Sequence, residues 1–415
     1  MNQPSSLLPT IVDARFAARN LFRHKLRAAL TLGAVAAGVA ALILAAGFVQ
    51  DSLLQLRESV IRSQLGHLQV HRPGFDASSV GNSYEFLMYD PEAVVQIIRS
   101  APHVTAVLKR LSFSGLISNG RSDLRAFAEG VEPSAEEQLG TAMTITRGRQ
   151  LKDGDRDGVL VGEGLANALR IGPGDMVTIL ASTGQGALNS ADVKVVGVFR
   201  SYSREFDAAS VRLPLVLAQE IAATDAVSAI VVSLDDTEST IPVYRWLQRR
   251  LGAAELEVST WQDLAEFYRS TEALYERQFA VLRFIILVLV VFSVASSVNM
   301  SAFERVGEFG TLMATGVRRG AVSRLLLLEN LFVGLFGSAM GAVAGILIAV
   351  AVSAVGIPMP PPPNASVGYT AYIRVVPAEV AFSAAIGLIA VMLAAILPAI
   401  RVPRVPIVDA LRRNV

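Results

Sequence analysis

One stretch of this chain limits its possible folds more than any other, because it joins great helical length to a long apolar run. Residues 253–306 contain neither glycine nor proline, the two residues that cost most inside a helix. Within it, FAVLRFIILVLVVFSVASSV is long enough to cross a bilayer, which takes about 20 apolar residues. A continuous helix from Trp261 to Ser301 would be roughly 60 Å long at about 1.5 Å per residue. The excess over a hydrocarbon core of roughly 30 Å predicts a stalk that projects from the membrane.

Both ends of this stretch carry further signals. Ser259 and Gln262, three residues apart, predict a capping box at the start of the stalk helix. After the span, apolar residues recur every three or four positions, with charged residues between them. This pattern predicts a short amphipathic helix ending at Gly316. This short helix is called the foot helix below.

Three more apolar stretches complete a predicted topology of four membrane spans. The predicted segments are a basic interfacial helix at 1–27, the first span with its stalk at 28–67, the second stalk and span at 258–301, a cytoplasmic coupling segment at 302–324, the third span at 325–355, an external proline-rich loop at 356–376, the fourth span at 377–400 and a cytoplasmic tail at 401–415. A cleaved signal peptide is the alternative for the N-terminus. It is disfavoured because the apolar run exceeds the about 7–15 residues of a signal h-region.

Residues 68–257 have the composition of a soluble domain, with short β-rich runs between helical stretches. The predicted fold is therefore an α-helical membrane protein with four transmembrane helices, plus a mixed α+β extracytoplasmic domain inserted between helices 1 and 2 on long helical stalks. Two lobes are predicted within the insert, with an inner strand-rich lobe at about 146–212.

The distribution of basic residues predicts the orientation of the spans. Arginine and lysine flank the spans at three places: Arg15, Arg19, Arg23, Lys25 and Arg27; Arg305, Arg318, Arg319 and Arg324; Arg401, Arg404, Arg412 and Arg413. The loop between the third and fourth spans contains only Arg374. Both termini and the foot helix are therefore predicted to be cytoplasmic, and the insert external.

The sequence offers little for catalysis or for binding a cofactor or metal. It contains no cysteine and four histidines, and its formal net charge of +1 gives no reason to expect a nucleic-acid partner. His67 and His71 share a face but have no evident third metal ligand. Asp153, Asp155 and Asp157 begin like a calcium loop, but the spacing to Glu163 is one residue short, so we expect an acidic turn.

A few residues inside the spans invite a specific interpretation. Arg283 is expected to extend toward the outer membrane surface. Glu329 and Asn330 lie near the start of the third span, and a structural pair with a basic residue of the foot or N-terminal helix is favoured over a proton relay. Four glycines at or near four-residue spacing predict a face that another helix approaches closely: Gly334, Gly337, Gly341 and Gly345.

Two stretches resemble a known family. ARNLFRHKLRAALTL before the first span, and NMSAFERVGEFGTLMATGVRRGAVSRLLLLENLFVGLFG from Asn299, are similar to the FtsX-like permease family of ABC transporters. This family includes the lipoprotein-releasing Lol permeases and the membrane subunit of macrolide-exporter type. VGEGLANALRIGPGDMVTIL in the insert is also similar to members of the family.

The resemblance implies a bacterial inner-membrane protein that works as a homo- or heterodimer with a second permease protomer and a cytoplasmic ABC ATPase. Only a short leader precedes the first span, so ATP and magnesium are expected in a separate ATPase. The resemblance is also compatible with a periplasmic accessory protein or a lipoprotein acceptor as a partner. The residues that the resemblance places at the ATPase contact are Glu304, Arg305, Glu308, Phe309, Gly310 and Gly316, with Arg318 and Arg319 beside them.

The leading hypothesis is a permease that converts ATPase closure into extraction or export of a lipid-linked or amphipathic substrate, with lipoprotein release as the first guess. A macrolide or peptide exporter is the alternative within the class. A transmembrane signalling device that activates a periplasmic cell-wall hydrolase is the alternative from another class. An enzyme is disfavoured because no catalytic constellation is evident.

Overall fold

The computed structural model describes residues 25–75, 83–139, 143–201, 203–252, 255–361 and 368–406. Most of the predicted interfacial helix, the centre of the proline-rich loop and most of the tail lie outside these residues. The chain divides into two compact units. The helix unit contains Met1–Leu53, Ala273–Pro358 and Thr370–Val415, and the sheet unit contains Leu54–Glu272 and Met359–Tyr369.

The helices and strands are numbered here in chain order. The helices are α1 Lys25–Val60, α2 Pro91–Arg99, α3 Pro133–Leu139, α4 Glu163–Leu169, α5 Arg204–Ala209, α6 Leu215–Ala222, α7 Thr240–Leu251, α8 Trp261–Leu264, α9 Glu266–Glu304, α10 Val306–Ala314, α11 Arg319–Val355 and α12 Pro377–Arg401. The strands are β1 Leu68–His71, β2 Val104–Ser118, β3 Asp123–Val131, β4 Thr144–Gly148, β5 Gly158–Gly162, β6 Met176–Ser182, β7 Leu188–Arg200, β8 Ser210–Pro214, β9 Ala229–Leu234, β10 Glu257–Thr260, β11 Ile357–Met359 and β12 Tyr369–Ala371.

Four of the described helices, α1, α9, α11 and α12, are long and apolar enough to cross a membrane, as predicted. The α+β domain lies between the first and second of them in the chain, which confirms the predicted fold class. The third membrane helix, α11, begins at Arg319, six residues before the predicted start of the third span. Gly316, with φ of +96°, ends the preceding turn, and Arg318 is already the N-cap of α11.

The helix unit is held together by small apolar clusters between its long helices. One cluster joins Val35 and Val39 of α1 to Val294 of α9 and Val391 of α12. The other side of each helix leaves large apolar side chains exposed, as is expected of surfaces that face lipid.

The sheet unit is built on a ten-stranded sheet with a large apolar core. Six of its strands, β2, β3, β8, β5, β7 and β6, close into a ring, because β6 pairs with both β7 and the end of β2. The first half of β2 leaves this ring and pairs with β9, which continues through β1 to β10. The ring therefore takes in β2 and β3, which lie outside the strand-rich lobe predicted at 146–212. Long-range pairing of this kind leaves no local signal in the sequence.

The start of the second long helix differs from the prediction. Ser259 lies in β10, and the capping box is formed one residue later, by Thr260 and Asp263. The chain then breaks at Ala265, where φ is −88° and ψ is 67°, before α9 begins. A single helix from Trp261 to Ser301 is therefore wrong, although α9 itself runs without interruption for 39 residues. The stalk role stays a prediction.

A π-turn at Ile61–Leu65 follows α1 and leads into the sheet. It ends at Gly66, where φ is +65° and a Cβ atom would lie 2.4 Å from a Val231 methyl group. The side chain of the next residue, His67, accepts from the Leu234 amide and contacts Thr237. His71 contacts Ser259. Among the described residues, no group of three or more His, Asp or Glu side chains is arranged to hold a metal.

Candidate functional site

The foot helix is α10, and it turns an apolar face inward. Phe309 and Met313 are buried against Val322 and Leu326 of α11 and Val402 after α12. The apolar residues recur at helical spacing, so one stripe of this nine-residue helix is committed to the helix unit. The helix is thereby fixed to the ends of α11 and α12.

The opposite face of the foot helix is exposed. Glu308 is 46% exposed at its side chain and Leu312 is 40% exposed. Glu304, Gly316, Arg318 and Arg319 are exposed as well. Phe309 and Gly310 are buried, and the ATPase contact predicted for the segment that contains them stays a prediction. They lie on the side of the foot helix that packs into the helix unit.

Arg305 joins the foot helix to α11. Its guanidinium donates to both carboxylate oxygens of Glu329, with N–O distances of 2.7 and 3.1 Å, and to Glu308 at 3.2 Å. It also lies 5.0 Å from the ring centre of Phe309. A bidentate, charge-assisted pair of this kind fixes orientation as well as distance. Glu329 thus has the basic partner that the sequence suggested, whereas Asn330 donates to Leu326 in its own helix.

The four glycines of α11 lie against two different helices. A Cβ atom on Gly341 would come within 2.6 Å of the Ala36 carbonyl oxygen in α1, and Gly337 and Gly345 also face α1. Gly334 instead faces Leu388 of α12. The absence of side chains lets the helix backbones approach closely, as in other membrane helices with small residues at this spacing.

Arg283 of α9 is paired rather than free in the span. It donates to Glu379 of α12 at 2.8 Å, and its guanidinium lies 4.2 Å from the ring centre of Phe279 and 5.0 Å from that of Phe382. The carboxylate offsets the cost of holding an arginine in this apolar setting. The pair links the second span to the start of the fourth.

Four buried charges in the sheet unit were not anticipated from the sequence. Arg212 of β8 donates to Glu129 of β3 at 2.9 Å and to Glu136 of α3 at 3.1 Å. Arg110 of β2 pairs with Glu136 at 2.8 Å. These four residues, called the buried quartet below, have side chains only 3–7% exposed. The four residues are spread over β2, β3, α3 and β8, so their partners could not be identified without the tertiary fold.

The quartet is balanced in charge, and it favours the ionised form of Glu136. Burial alone would raise the pKa of Glu136, but the charges of Arg110 and Arg212 outweigh burial and set the pKa below its ordinary value. The same attraction raises the pKa of Arg110 despite its burial. Arg212 also donates to the Ser63 carbonyl oxygen at 3.4 Å, which ties the quartet to the π-turn.

Both sections of the chain match described protein families. Residues 28–250, more than half of the chain, match the MacB-like periplasmic core domain. Residues 280–407 match the FtsX-like permease C-terminal domain. The second match includes the foot helix, the Arg305–Glu329 pair and the glycines of α11.

Individual relatives are distant but cover most of the chain. The chain is 25% identical over 345 residues, or 81% of its length, to the macrolide export ATP-binding/permease protein MacB 1/2 of Paracoccus denitrificans, and spans half the length of that relative. It is 27% identical to the uncharacterized ABC transporter permease YvrN of Bacillus subtilis, covering 96% of this chain and 98% of YvrN. It is 22% identical to the lipoprotein-releasing system transmembrane protein LolE of Haemophilus influenzae, covering 76% and 75%.

Among solved structures, the periplasmic region of MacB from Actinobacillus actinomycetemcomitans aligns with half of this chain and 95% of that region, at 14% identity and a TM-score of 0.35. The family matches cover the insert, the spans and the segment that carries the foot helix. The chain therefore belongs to the FtsX-like permeases of ABC transporters, with a MacB-like periplasmic core domain between its first two membrane helices.

Proposed function

We propose that this chain is the permease subunit of an inner-membrane complex in which a separate cytoplasmic ATPase drives extraction or export of a lipid-linked or amphipathic substrate. The foot helix carries the proposal. Its outward face is exposed and carries Glu308, whereas its inward face is packed against α11 and α12 and locked by the Arg305–Glu329 pair. A short helix fixed in this way is suited to lie in the groove of a partner and to pass a displacement to the spans.

Lipoprotein release is the first substrate proposed, and export of a macrolide or peptide is the alternative. Two relatives support these alternatives, since LolE is a lipoprotein-releasing system protein and MacB 1/2 is a macrolide export protein. In both cases the foot helix and both termini would be cytoplasmic and the MacB-like domain periplasmic. A second protomer, identical or related, would complete the permease.

The ATPase contact is tested by Glu308→Lys. This substitution reverses a charge on the exposed face of the foot helix and leaves the buried face intact. We expect the variant to lose its native ATPase when the two are purified together from membranes. Glu276→Lys is the matched control, because Glu276 is an exposed glutamate near the other end of α9. Equal recovery of the ATPase with Glu308→Lys and Glu276→Lys would contradict the contact.

The substrate is tested on the complete complex in nanodiscs. Mass spectrometry of material that copurifies without ATP should identify acylated protein, and ATP should release it. A bound macrolide or peptide in place of lipoprotein would favour the export alternative. Retention of neither class, together with activation of a cell-wall hydrolase on ATP addition, would contradict transport and favour signalling.

A further inference from the structure

The last two membrane helices share a feature that the permease function does not use. At the end that carries the foot helix, α11 and α12 each present an apolar stripe that finishes in arginine. On α11, Leu335, Leu331 and Leu328 lead to Arg324 at spacings of three or four residues. The arginine therefore ends the same helical face as the leucines.

The fourth membrane helix, α12, has the same arrangement. Leu393, Leu397 and Ile400 are each about half exposed, at 49%, 51% and 47%. Arg401 and Arg404 follow on the same face and are exposed. An exposed leucine stripe is a surface for acyl chains, and the arginines that end it lie where headgroups begin.

The two stripes meet at one level. The Ser323 hydroxyl donates to the Ala399 carbonyl oxygen at 2.7 Å, and Val322 and Val402 share one buried cluster. Arg324 directly follows Ser323, and Arg401 lies two residues after Ala399. The surface formed by Arg324, Arg401, Arg404 and the two apolar stripes is called the α11–α12 seam below.

The seam carries positive charge with no carboxylate assigned to it. Among the described residues, no aspartate or glutamate forms an ion pair with Arg324, Arg401 or Arg404. Glu329, the glutamate nearest to Arg324 in sequence, is paired with Arg305. We propose that the seam binds an anionic phospholipid from the leaflet on the foot-helix side, with its phosphate at the arginines and its acyl chains along the leucines. A free phosphate would leave the apolar stripes uncovered, and a zwitterionic headgroup would bring a cation to the arginines.

The test uses the full chain in mild detergent and native mass spectrometry with three probes: cardiolipin, phosphatidylcholine and soluble glycerol 3-phosphate. We expect cardiolipin to bind in preference to the other two. In the double variant Arg324→Gln/Arg401→Gln its affinity should fall about 30-fold, from about 1 kcal/mol for each arginine near an anionic surface. The matched control is Arg277→Gln/Arg374→Gln, which removes two exposed arginines beyond the other ends of the spans.

Three results would overturn the proposal. Equal weakening by the two double variants would mean that total charge, and not the seam, attracts the lipid. Equal binding of phosphatidylcholine and cardiolipin would remove the headgroup preference. Glycerol 3-phosphate binding as tightly as cardiolipin would make the ligand a soluble anion. The inference does not depend on the identity of the ATPase or the transported substrate, so it can fail while the proposed function stands.

Discussion

The sheet unit and the helix unit keep their charged side chains in different places. The sheet unit holds two arginines and two glutamates in its interior, with side chains 3–7% exposed. The ion pairs of the helix unit are less deeply buried: the side chains of Arg305 and Glu329 are 13% and 12% exposed, and those of Arg283 and Glu379 are 29% and 27% exposed. A protein core can enclose a closed, balanced network, whereas a helix surrounded by hydrocarbon must bring its charges toward water.

The largest expected effect is on the buried quartet. Arg212→Met removes the partner shared by Glu129 and Glu136 and leaves a buried excess of negative charge. We expect the free energy of unfolding of the sheet unit to fall by about 3–5 kcal/mol. Both tryptophans, Trp246 and Trp261, lie in this unit, so urea unfolding of the full chain followed by tryptophan fluorescence reports on it.

Arg149→Met is the control for that measurement, because Arg149 pairs with Asp155 at the surface. It should shift the unfolding midpoint far less. Similar shifts in the two variants would mean that the quartet does not stabilise the sheet unit more than an exposed pair does.

A smaller effect is expected where glycine allows two membrane helices to meet. In Gly341→Ala the new methyl group would lie 2.6 Å from the Ala36 carbonyl oxygen and 2.8 Å from the Val39 Cβ atom. Overpacking should cost about 1–3 kcal/mol, which exceeds the gain in helix propensity. Circular dichroism at increasing temperature measures the loss. Gly33→Ala should be neutral or stabilising, because no atom of another described element lies within 4 Å of its added Cβ. Destabilisation by Gly33→Ala would disprove the packing argument.

Glu329→Gln tests the pair at the foot helix. Arg305 would lose its bidentate partner but keep Glu308. We therefore expect the free energy of unfolding to fall by about 1.5 kcal/mol, the low end of the range for hydrogen bonds to charged groups. Hydrogen exchange of the amides in residues 306–314 should become faster. Glu308→Gln, which alters a carboxylate 46% exposed, should change exchange less. Unchanged exchange in Glu329→Gln would show that the foot helix is held by its apolar face alone.

The smallest expected effect is the loss of the stabilising contribution of Glu136 at acid pH. The folded pKa of Glu136 lies below its ordinary value of 4.5, so its contribution to stability is complete above about pH 4.5 and is lost as the pH falls through the folded pKa. The difference in unfolding midpoint between the wild-type chain and Glu136→Gln should therefore narrow below about pH 4.5. Urea unfolding at a series of pH values measures it. A constant difference would mean that Glu136 does not titrate with unfolding.

Features that are written locally were predictable from the sequence. Apolar runs located the four membrane helices, and the composition change located the inserted domain. Short-range signals were less exact: Thr260 and Asp263 form the capping box expected one residue earlier, because β10 continues through Ser259 and ends only at Thr260. Here tertiary pairing overrode a local preference.

The candidate site was predictable only in part, for the same reason. Helical spacing indicated that α10 is amphipathic but did not decide which residues face outward, and Phe309 lies on the buried side. The basic partner of Glu329 could be narrowed to a small group of residues, whereas the buried quartet depends on contacts between positions up to 83 residues apart, as between Glu129 and Arg212. Such contacts are visible only in the folded chain.

The closed ring of six strands has a consequence for self-association. A strand inside a closed ring has no unpaired backbone to offer another molecule, so recruitment of foreign strands is restricted to the two ends of the described sheet. Those ends are β10 and β4, which are only four and five residues long. Each bears an exposed charged side chain, Glu257 and Arg147, and β4 is further interrupted by a bulge. The described ten-stranded sheet is thereby protected against fibrous aggregation at both of its ends.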